Sequence, residues 1–553
     1  MAHKKAETRG TMGQVHGGRL VAQALKRHGI DVVFTLCGGH IQAIYDGCID
    51  EGITIYDTRH EQTAAFAADA HARVTGKPGV ALVTAGPGVT NAVTAMANAQ
   101  RAGVPLICIG GAGPRSLSDM GSLQDIDSVR LMTPVSKWAV QIPETRRIKE
   151  YVDSAFRIAQ AGLPGPVYLE VPLDLLMDSA SDEQPPTSPM SPPRPAADPA
   201  SLEHCARLLD ASERPCFIVG SQLRWSPRRA ILERAARHFS VPFFLNGMAR
   251  GALGPDHPHL FSHARKHALS RSDLVVVLGT PFDFRVGYGR APAWNPDARV
   301  VQVDLDAAQL GHNRTLDLGI QSDVGYFLEA LCERAAAKTA PMWVQELDEI
   351  EQKKRASVRE EIDTYQKPPN PLRVCYELGK RLGKNDIVIG DGGDFVASAA
   401  NVLPLEWPQL WMDPGPLGTL GIGPGYALAA SLARPDARTV IIYGDGAFGL
   451  SAMEFEALAR HKRHVVAVIG NDAAWSQIRR GQVQIYGEER AVATRLDYSR
   501  YDLVVQALGG KGYWVERIEE LGPALDGAFA ADVPSCVNVR ISSSNFRKGA
   551  IAV

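Results

Sequence analysis

Short apolar runs, many of them β-branched, recur along the chain and are separated by stretches of helical period. VVFTL (32–36) leads into a Gly-Gly pair, and TIYDTR (54–59) is the next run. EQTAAFAADAHARV (61–74) is Ala-rich with a helical period and stops at Gly76. GVALVTA (79–85) then passes through Gly-Pro-Gly into a second Ala-rich helix, and PLICIGG (105–111) follows. These runs are continuous rather than alternating, so they predict strands of a parallel sheet covered by helices on both faces.

The same rhythm returns twice. CFIVG (216–220), VPFFL (241–245), LVVVLG (274–279) and RVVQVDL (299–305) predict a second sheet. DIVIGDGG (386–393), LWMD (410–413), TVIIYGDG (439–446), VVAVIGND (465–472) and SCVNVRIS (535–542) predict a third. Two breaks separate them. The segment 181–199 carries seven prolines and reads as an extended linker, and 343–371 is a highly charged helix that ends Pro-rich. The predicted fold is α/β, with three doubly wound parallel-sheet domains at 13–182, 200–340 and 366–553. The first and third are expected to share an architecture.

Charge and composition narrow the function. With 59 Lys and Arg against 61 Asp and Glu, nothing suggests nucleic acid as a partner. No apolar window is long enough for a transmembrane helix, and the polar start lacks the apolar stretch of a secretory signal. The eight cysteines form no CxxC pair, and they read as reduced, mostly buried thiols of a cytoplasmic protein. Cys37, at a strand end, is the one placed to lie near a site.

Chemistry concentrates at strand ends. A buried run ends in Gly444-Asp445-Gly446, a helix follows, and a second buried run ends in Asn471-Asp472. The carboxyl edge of a parallel sheet is where open α/β folds bind ligands. The glycines admit a phosphate to backbone N–H groups, and the next helix N-terminus adds favourable dipole charge. Asp445 with Asn471 or Asp472 offers hard oxygens to a divalent cation bridging phosphates, a role that suits Mg²⁺. A Gly-Asp-Gly turn alone is more often structural; the whole strand–turn–helix–strand unit is far more specific.

That unit resembles the diphosphate-binding motif of thiamine-diphosphate-dependent enzymes. The resemblance extends to Arg59-His60-Glu61-Gln62 and to DPGPLGTLGIGPG (413–425), whose glycines do not form a dinucleotide fingerprint. It implies a pyrimidine-binding, a central and a diphosphate-binding domain, in that order. It makes Glu61 the catalytic carboxylate that hydrogen-bonds the aminopyrimidine, with His60 positional. It assigns cofactor contacts to Gly393, Asp394 and Phe395, to Gly418 through its carbonyl, and to Leu420 as the wedge that bends the cofactor. Gly444, Asp445, Gly446, Ala447 and Asp472 complete the cofactor set. Asp445, Asp472 and the Ala474 carbonyl would hold Mg²⁺. The family usually places Asn at the second ligand position, so Asn471 stands as the alternative to Asp472. The resemblance further implies a homodimer or homotetramer with active sites across subunits.

Within the superfamily, the strings TLCGGHI, DTRHE, GPLGTLG, GNDAAW and FRKGAIAV are similar to the acetolactate synthase and 2-hydroxyacyl-CoA lyase group. Gly39, His40, Gln124 and Trp475 become the substrate-side candidates. Three positions depart from true acetohydroxyacid synthases. Gly481 stands where they carry an acceptor-pocket Trp, Leu123 replaces a Phe before Gln124, and FDFRVGYG (282–289) keeps Arg285 without the paired acids of the flavin-associated motif. The expected reaction is cleavage of a 2-hydroxyacyl-CoA to an aldehyde and formyl-CoA. The alternative is acetolactate-synthase-like condensation or decarboxylation of 2-oxoacids. The central domain could add a nucleotide, whether ADP, CoA or FAD. Arg547 and Lys548 would suit CoA phosphates. Retention of Glu61, Asp445 and Gly446 argues against a non-catalytic relative.

Overall fold

A computed structural model describes residues 13–182 and 189–543. These residues fall into two compact units, the first holding strands β1–β8 and the second β9–β19.

In the first unit, β1 (Gln14–His16) pairs antiparallel with β8 (Ser179–Ser181). The main sheet contains β2 (Val32–Thr35), β3 (Thr54–Asp57), β4 (Gly79–Val83), β5 (Leu106–Ala112), β6 (Trp138–Gln141) and β7 (Val167–Pro172). They lie in the order β3-β2-β4-β5-β7-β6, all parallel. The Ala-rich helix Glu61–Thr75 sits hard against this sheet. A Cβ on Gly79 would lie 1.8 Å from the Ala68 carbonyl oxygen, so glycine on the strand and alanine on the helix permit the approach.

The second unit has two sheets. The central one has β9 (Pro215–Val219), β10 (Phe243–Leu245), β11 (Leu274–Leu278), β12 (Arg299–Asp304) and β13 (Leu318–Gln321), in the order β10-β9-β11-β12-β13. The last has β14 (Ile387–Asp391), β15 (Leu410–Met412), β16 (Thr439–Gly444), β17 (Val465–Asn471), β18 (Lys511–Val515) and β19 (Ser535–Arg540), in the order β15-β14-β16-β17-β19-β18. Both sheets are wholly parallel. The first and last sheets therefore share one strand order, as expected from their common rhythm. Helix Pro341–Asp363 occupies the charged stretch expected to be helical.

Three of the strands that the apolar pattern does not pick out share a cause. β6, β13 and β18 are sheet edges with half-exposed residues, and their sequences are correspondingly mixed. β7 is fully buried, yet Glu170 interrupts its apolar run. That carboxyl accepts from Gln141 at 2.8 Å and from Tyr168 at 3.3 Å, and burial raises its pKa. Seven cysteines are buried, as expected, while Cys37 is exposed. No described helix is long and apolar enough to cross a membrane. The segment FRKGAIAV, with Arg547 and Lys548, lies outside the described residues.

Candidate functional site

In the last sheet, β14 and β16 are neighbours from which the chain winds in opposite directions. The crevice at their carboxyl ends is the topological switch point, where open α/β sheets bind ligands. Two glycine turns meet there. A Cβ on Gly392, whose φ is +147°, would lie 2.7 Å from the Gly444 nitrogen. Bare backbone thus faces bare backbone across the crevice. A cavity of about 350 Å³ opens between these turns and the segment after β17. Every residue expected to touch the cofactor in this unit lines it: Gly393, Asp394 and Phe395 after β14; Gly418 and Leu420 on the loop before helix Gly423–Ala433; Gly444, Asp445, Gly446 and Ala447 after β16; and Asp472. Ala474 and Trp475 line it too.

Asp445 is 2% exposed. Its Oδ1 accepts from the Gly446 N–H at 2.9 Å and its Oδ2 from the Ala474 N–H at 3.2 Å. Burial, reinforced by the negative charge of Asp472, pushes its carboxyl up to about 7. Burial raises Asp472 as well, while a hydrogen bond from the Ser476 hydroxyl opposes the shift. A buried carboxylate beside a second, half-buried one whose charge raises its pKa is a natural seat for a cation. Directly after Asp472 the chain turns through Ala473 at φ +55°, a left-handed conformation that a non-glycine residue adopts at a cost. Asn471 takes another course. It is fully buried, its Nδ2 donates to the Ser499 carbonyl and to Asn538 Oδ1, both at 3.2 Å, and its Oδ1 accepts from the Ala473 N–H at 3.3 Å. Its side chain is committed to the protein, and it is absent from the cavity wall.

The loop 413–423 is tied down by Asp391, the first residue of the strand-end run DGGDF (391–395) from which diphosphate contacts were expected. Asp391 ends β14 fully buried, and its two oxygens accept from the N–H groups of Gly421 (2.9 Å) and Gly423 (2.7 Å). Burial pushes its carboxyl up to about 7. Gly418 sits in this loop at φ +69° with open space beside it.

The first unit gathers its own candidates at the carboxyl edge of its sheet. Thr58 donates to the His60 carbonyl at 2.8 Å, and His60 Nδ1 accepts from the Gln62 N–H at 3.1 Å, so His60 is turned onto its own backbone. Glu61 then opens its helix, 5% exposed, with Oε2 accepting from Asn91 Nδ2 at 2.9 Å. Asn91 lies on the helix after β4 and escaped the sequence reading, although its helix opens at the Gly-Pro-Gly turn singled out there. After β2, Gly39 is exposed, and His40 is buried with Nδ1 3.4 Å from the Thr84 hydroxyl. Gln124 is left-handed at φ +61° and packs on Gly86, where a Cβ would lie 2.7 Å from the Gln124 carbonyl oxygen. Trp475, the fourth substrate-side candidate, belongs to the second unit, with its ring against Gly446.

Comparison with known families gives three matches in chain order. Residues 15–131 match the N-terminal TPP-binding domain of thiamine pyrophosphate enzymes, 202–331 the central domain, and 391–539 the C-terminal TPP-binding domain. The chain belongs to the thiamine pyrophosphate enzyme family. It is 40% identical to the acetolactate synthase large subunit IlvG of Mycobacterium tuberculosis, over 95% of each chain. It is 38% identical to 2-hydroxyacyl-CoA lyase 2 of Danio rerio, over 97% of this chain and 93% of that one. The human 2-hydroxyacyl-CoA lyase 2 is also 38% identical, over 97% of this chain and 92% of its own.

For a thiamine pyrophosphate enzyme, the cavity after β14 and β16 has the right chemistry for the diphosphate end of the cofactor. Its turns are glycine, and its carboxylates are hard donors. Among the described residues no cluster of three or more His, Cys, Asp or Glu could hold a metal. A cation there would depend on the two aspartates, backbone oxygen and the diphosphate itself, which is how Mg²⁺ is commonly held. In the central region of this thiamine pyrophosphate enzyme, Arg285 lies in the helical turn Phe284–Gly289 after β11 and is engaged by Asp283, with its Nη2 2.6 Å from Asp283 Oδ2.

Proposed function

We propose that the chain is a thiamine-diphosphate- and Mg²⁺-dependent carbon–carbon lyase that cleaves 2-hydroxyacyl-CoA to an aldehyde and formyl-CoA. The observation that carries the choice of reaction is Gly481. It is a buried glycine on helix Ser476–Tyr486, at the position where synthases of this group carry the Trp that shapes an acceptor pocket. Without that wall, a site for a second 2-oxoacid loses a face. Bound thiamine diphosphate supplies a nucleophilic carbon that can also hold the electron pair of the broken bond.

The chain's residues do the rest in this reading. Glu61 presents its carboxylate to the aminopyrimidine, and Asn91 orients it from the other oxygen's side. Asp445, Asp472 and the Ala474 carbonyl take Mg²⁺, and the glycine turns take the diphosphate. Leu420 and the Gly418 carbonyl set the pyrimidine end. Gly39, His40, Gln124 and Trp475 face the substrate. The bond between the hydroxyl-bearing carbon and the thioester carbonyl breaks. The former leaves as the aldehyde, and the latter gains a proton and leaves as formyl-CoA. A central-domain nucleotide, ADP, CoA or FAD, would sit at the carboxyl ends of β9 and β11 by the same topological rule. The reading places the enzyme in the cytoplasm as a homodimer or homotetramer in which one copy's Glu61 serves another copy's diphosphate domain.

The second reading is condensation of 2-oxoacids, favoured by the 40% identity to an acetolactate synthase large subunit. Incubation with 2-hydroxyacyl-CoA of several chain lengths, Mg²⁺ and thiamine diphosphate should release aldehyde. Acetolactate from pyruvate, with no aldehyde at any length, would replace the lyase reading by the synthase one. Mixing inactive Glu61→Gln and Asp445→Ala proteins tests the shared site: reassorted oligomers should regain activity, and none would be regained if each chain served itself.

A further inference from the structure

The cavity wall includes one residue whose charge is wrong for its neighbour. Asp394 opens helix Asp394–Val402 at the lip of the cavity, beside Gly393. A carboxylate at a helix N-terminus is favourable in itself. Here, however, it lines a cavity that already contains Asp445 and Asp472 and whose proposed ligand is a diphosphate. Among the described residues, no Lys, Arg or His lines that cavity. The cation lies one layer back. Arg480, on helix Ser476–Tyr486, forms an ion pair with Asp394, and both are largely buried, with side chains 18% and 7% exposed.

We propose that Arg480 is the positioning residue that balances charge at the diphosphate site, with Asp394 as the arm that holds it there. The proposal rests on the thiamine diphosphate reading of the cavity. Buried charge is tolerated only when paired, and like charges a few ångströms apart in a poorly solvated site repel strongly. Asp394 takes up Arg480 in the absence of cofactor. When the diphosphate arrives, the same guanidinium offsets both the carboxylate and the added phosphate charge. The pair also joins the two walls of the crevice, where Gln477 of the Arg480 helix packs on Gly393; a Cβ on Gly393 would lie 2.5 Å from Gln477 Oε1.

A charge-balancing role and a purely structural latch predict opposite patterns. If Arg480 balances charge, Arg480→Gln leaves Asp394 facing the diphosphate unpaired, and affinity for thiamine diphosphate in Mg²⁺ falls at least about tenfold. Asp394→Asn keeps an oxygen in the cavity wall, removes one negative charge and frees the guanidinium, so its affinity lies well above that of Arg480→Gln. The double variant Arg480→Gln/Asp394→Asn recovers most of the loss. A latch would make Asp394→Asn as damaging as Arg480→Gln, with no recovery in the double variant. The measurement is calorimetric titration of the full chain with thiamine diphosphate at fixed Mg²⁺, with thermal unfolding of each cofactor-free variant as the folding control. Equal losses in the two single variants, or no loss in Arg480→Gln, would overturn the proposal. Absence of binding by the wild-type chain would instead remove the cofactor reading beneath it.

Discussion

Gly446→Ala is the sharpest single test of how the cavity is built. Gly446 lies in the short helix Asp445–Gly449, so alanine there is conformationally acceptable and gains up to about 1 kcal/mol of helix propensity. The obstacle is the Trp475 indole. An added Cβ would lie 2.6, 2.7 and 2.8 Å from three of its ring carbons, whereas ordinary contact begins at 3.4 Å. The ring must therefore retreat by about 0.8 Å, the difference between 3.4 and 2.6 Å. It cannot do so freely. Its backbone is held in place: the Trp475 main-chain N–H donates to the Thr494 carbonyl at 2.9 Å, and its main-chain carbonyl accepts from the Ile478 and Arg479 N–H groups. Overpacking of this kind costs about 1–3 kcal/mol, so the clash outweighs the gain in propensity. The residual of up to about 2 kcal/mol falls on the segment that carries Asp472 and Ala474, and it corresponds to a loss of cofactor affinity of up to roughly thirtyfold. Titration with thiamine diphosphate in Mg²⁺ measures it. Adding Trp475→Leu should restore affinity by removing the overlap. Wild-type affinity in Gly446→Ala, with Trp475 fluorescence unchanged, would refute the reasoning.

Glu61→Gln should bind cofactor normally yet lose turnover by several orders of magnitude, each factor of ten being about 1.4 kcal/mol of barrier. Asn91→Ala should keep part of the activity, at roughly a tenfold cost typical of a lost hydrogen bond to a charged group; full activity would show that Asn91 does not orient Glu61. Asp472→Ala should abolish Mg²⁺-dependent cofactor binding, Asp472→Asn should retain it, and Asn471→Ala should lower thermal stability through its lost bonds to Asn538 and Ser499; normal metal binding in Asp472→Ala would shift the ligand role to Asn471. Affinity for Mg²⁺ should rise with pH and level off above about 7, because the cation needs Asp445 ionised and that carboxyl titrates near 7 without metal. The sign for stability is opposite. An acid whose folded pKa lies above its unfolded value binds more protons when folded, so its contribution to cofactor-free stability declines as pH rises from about 4 to 7. Flat Mg²⁺ affinity between pH 6 and pH 8 would contradict the first of these.

Much of this protein was legible in one dimension. Continuous apolar runs alternating with Ala-rich helices can be buried on both faces only in a parallel sheet, so all three sheets and the likeness of the first to the third followed from pattern. The residues of the cavity were legible because its turns are crowded and glycine relieves the crowding: Gly392 faces the Gly444 backbone, Gly393 the Gln477 side chain and Gly446 the Trp475 ring, which leaves these glycines as visible marks beside Asp445. What stayed hidden depends on partners far away in sequence. The edge strands β6, β13 and β18 carry mixed residues, because a half-exposed strand gains stability from its neighbour rather than from its own hydrophobicity. Asp391 holding Gly421 and Gly423, Asn91 holding Glu61, and Arg480 paired with Asp394 are links between residues 30, 32, 30 and 86 positions apart. Whether Asn471 or Asp472 faces the cavity was open for the same reason. Successive residues at a strand end point in opposite directions, and only the burial of Asn471 against Asn538 and Ser499 leaves Asp472 as the one of the two that lines the cavity.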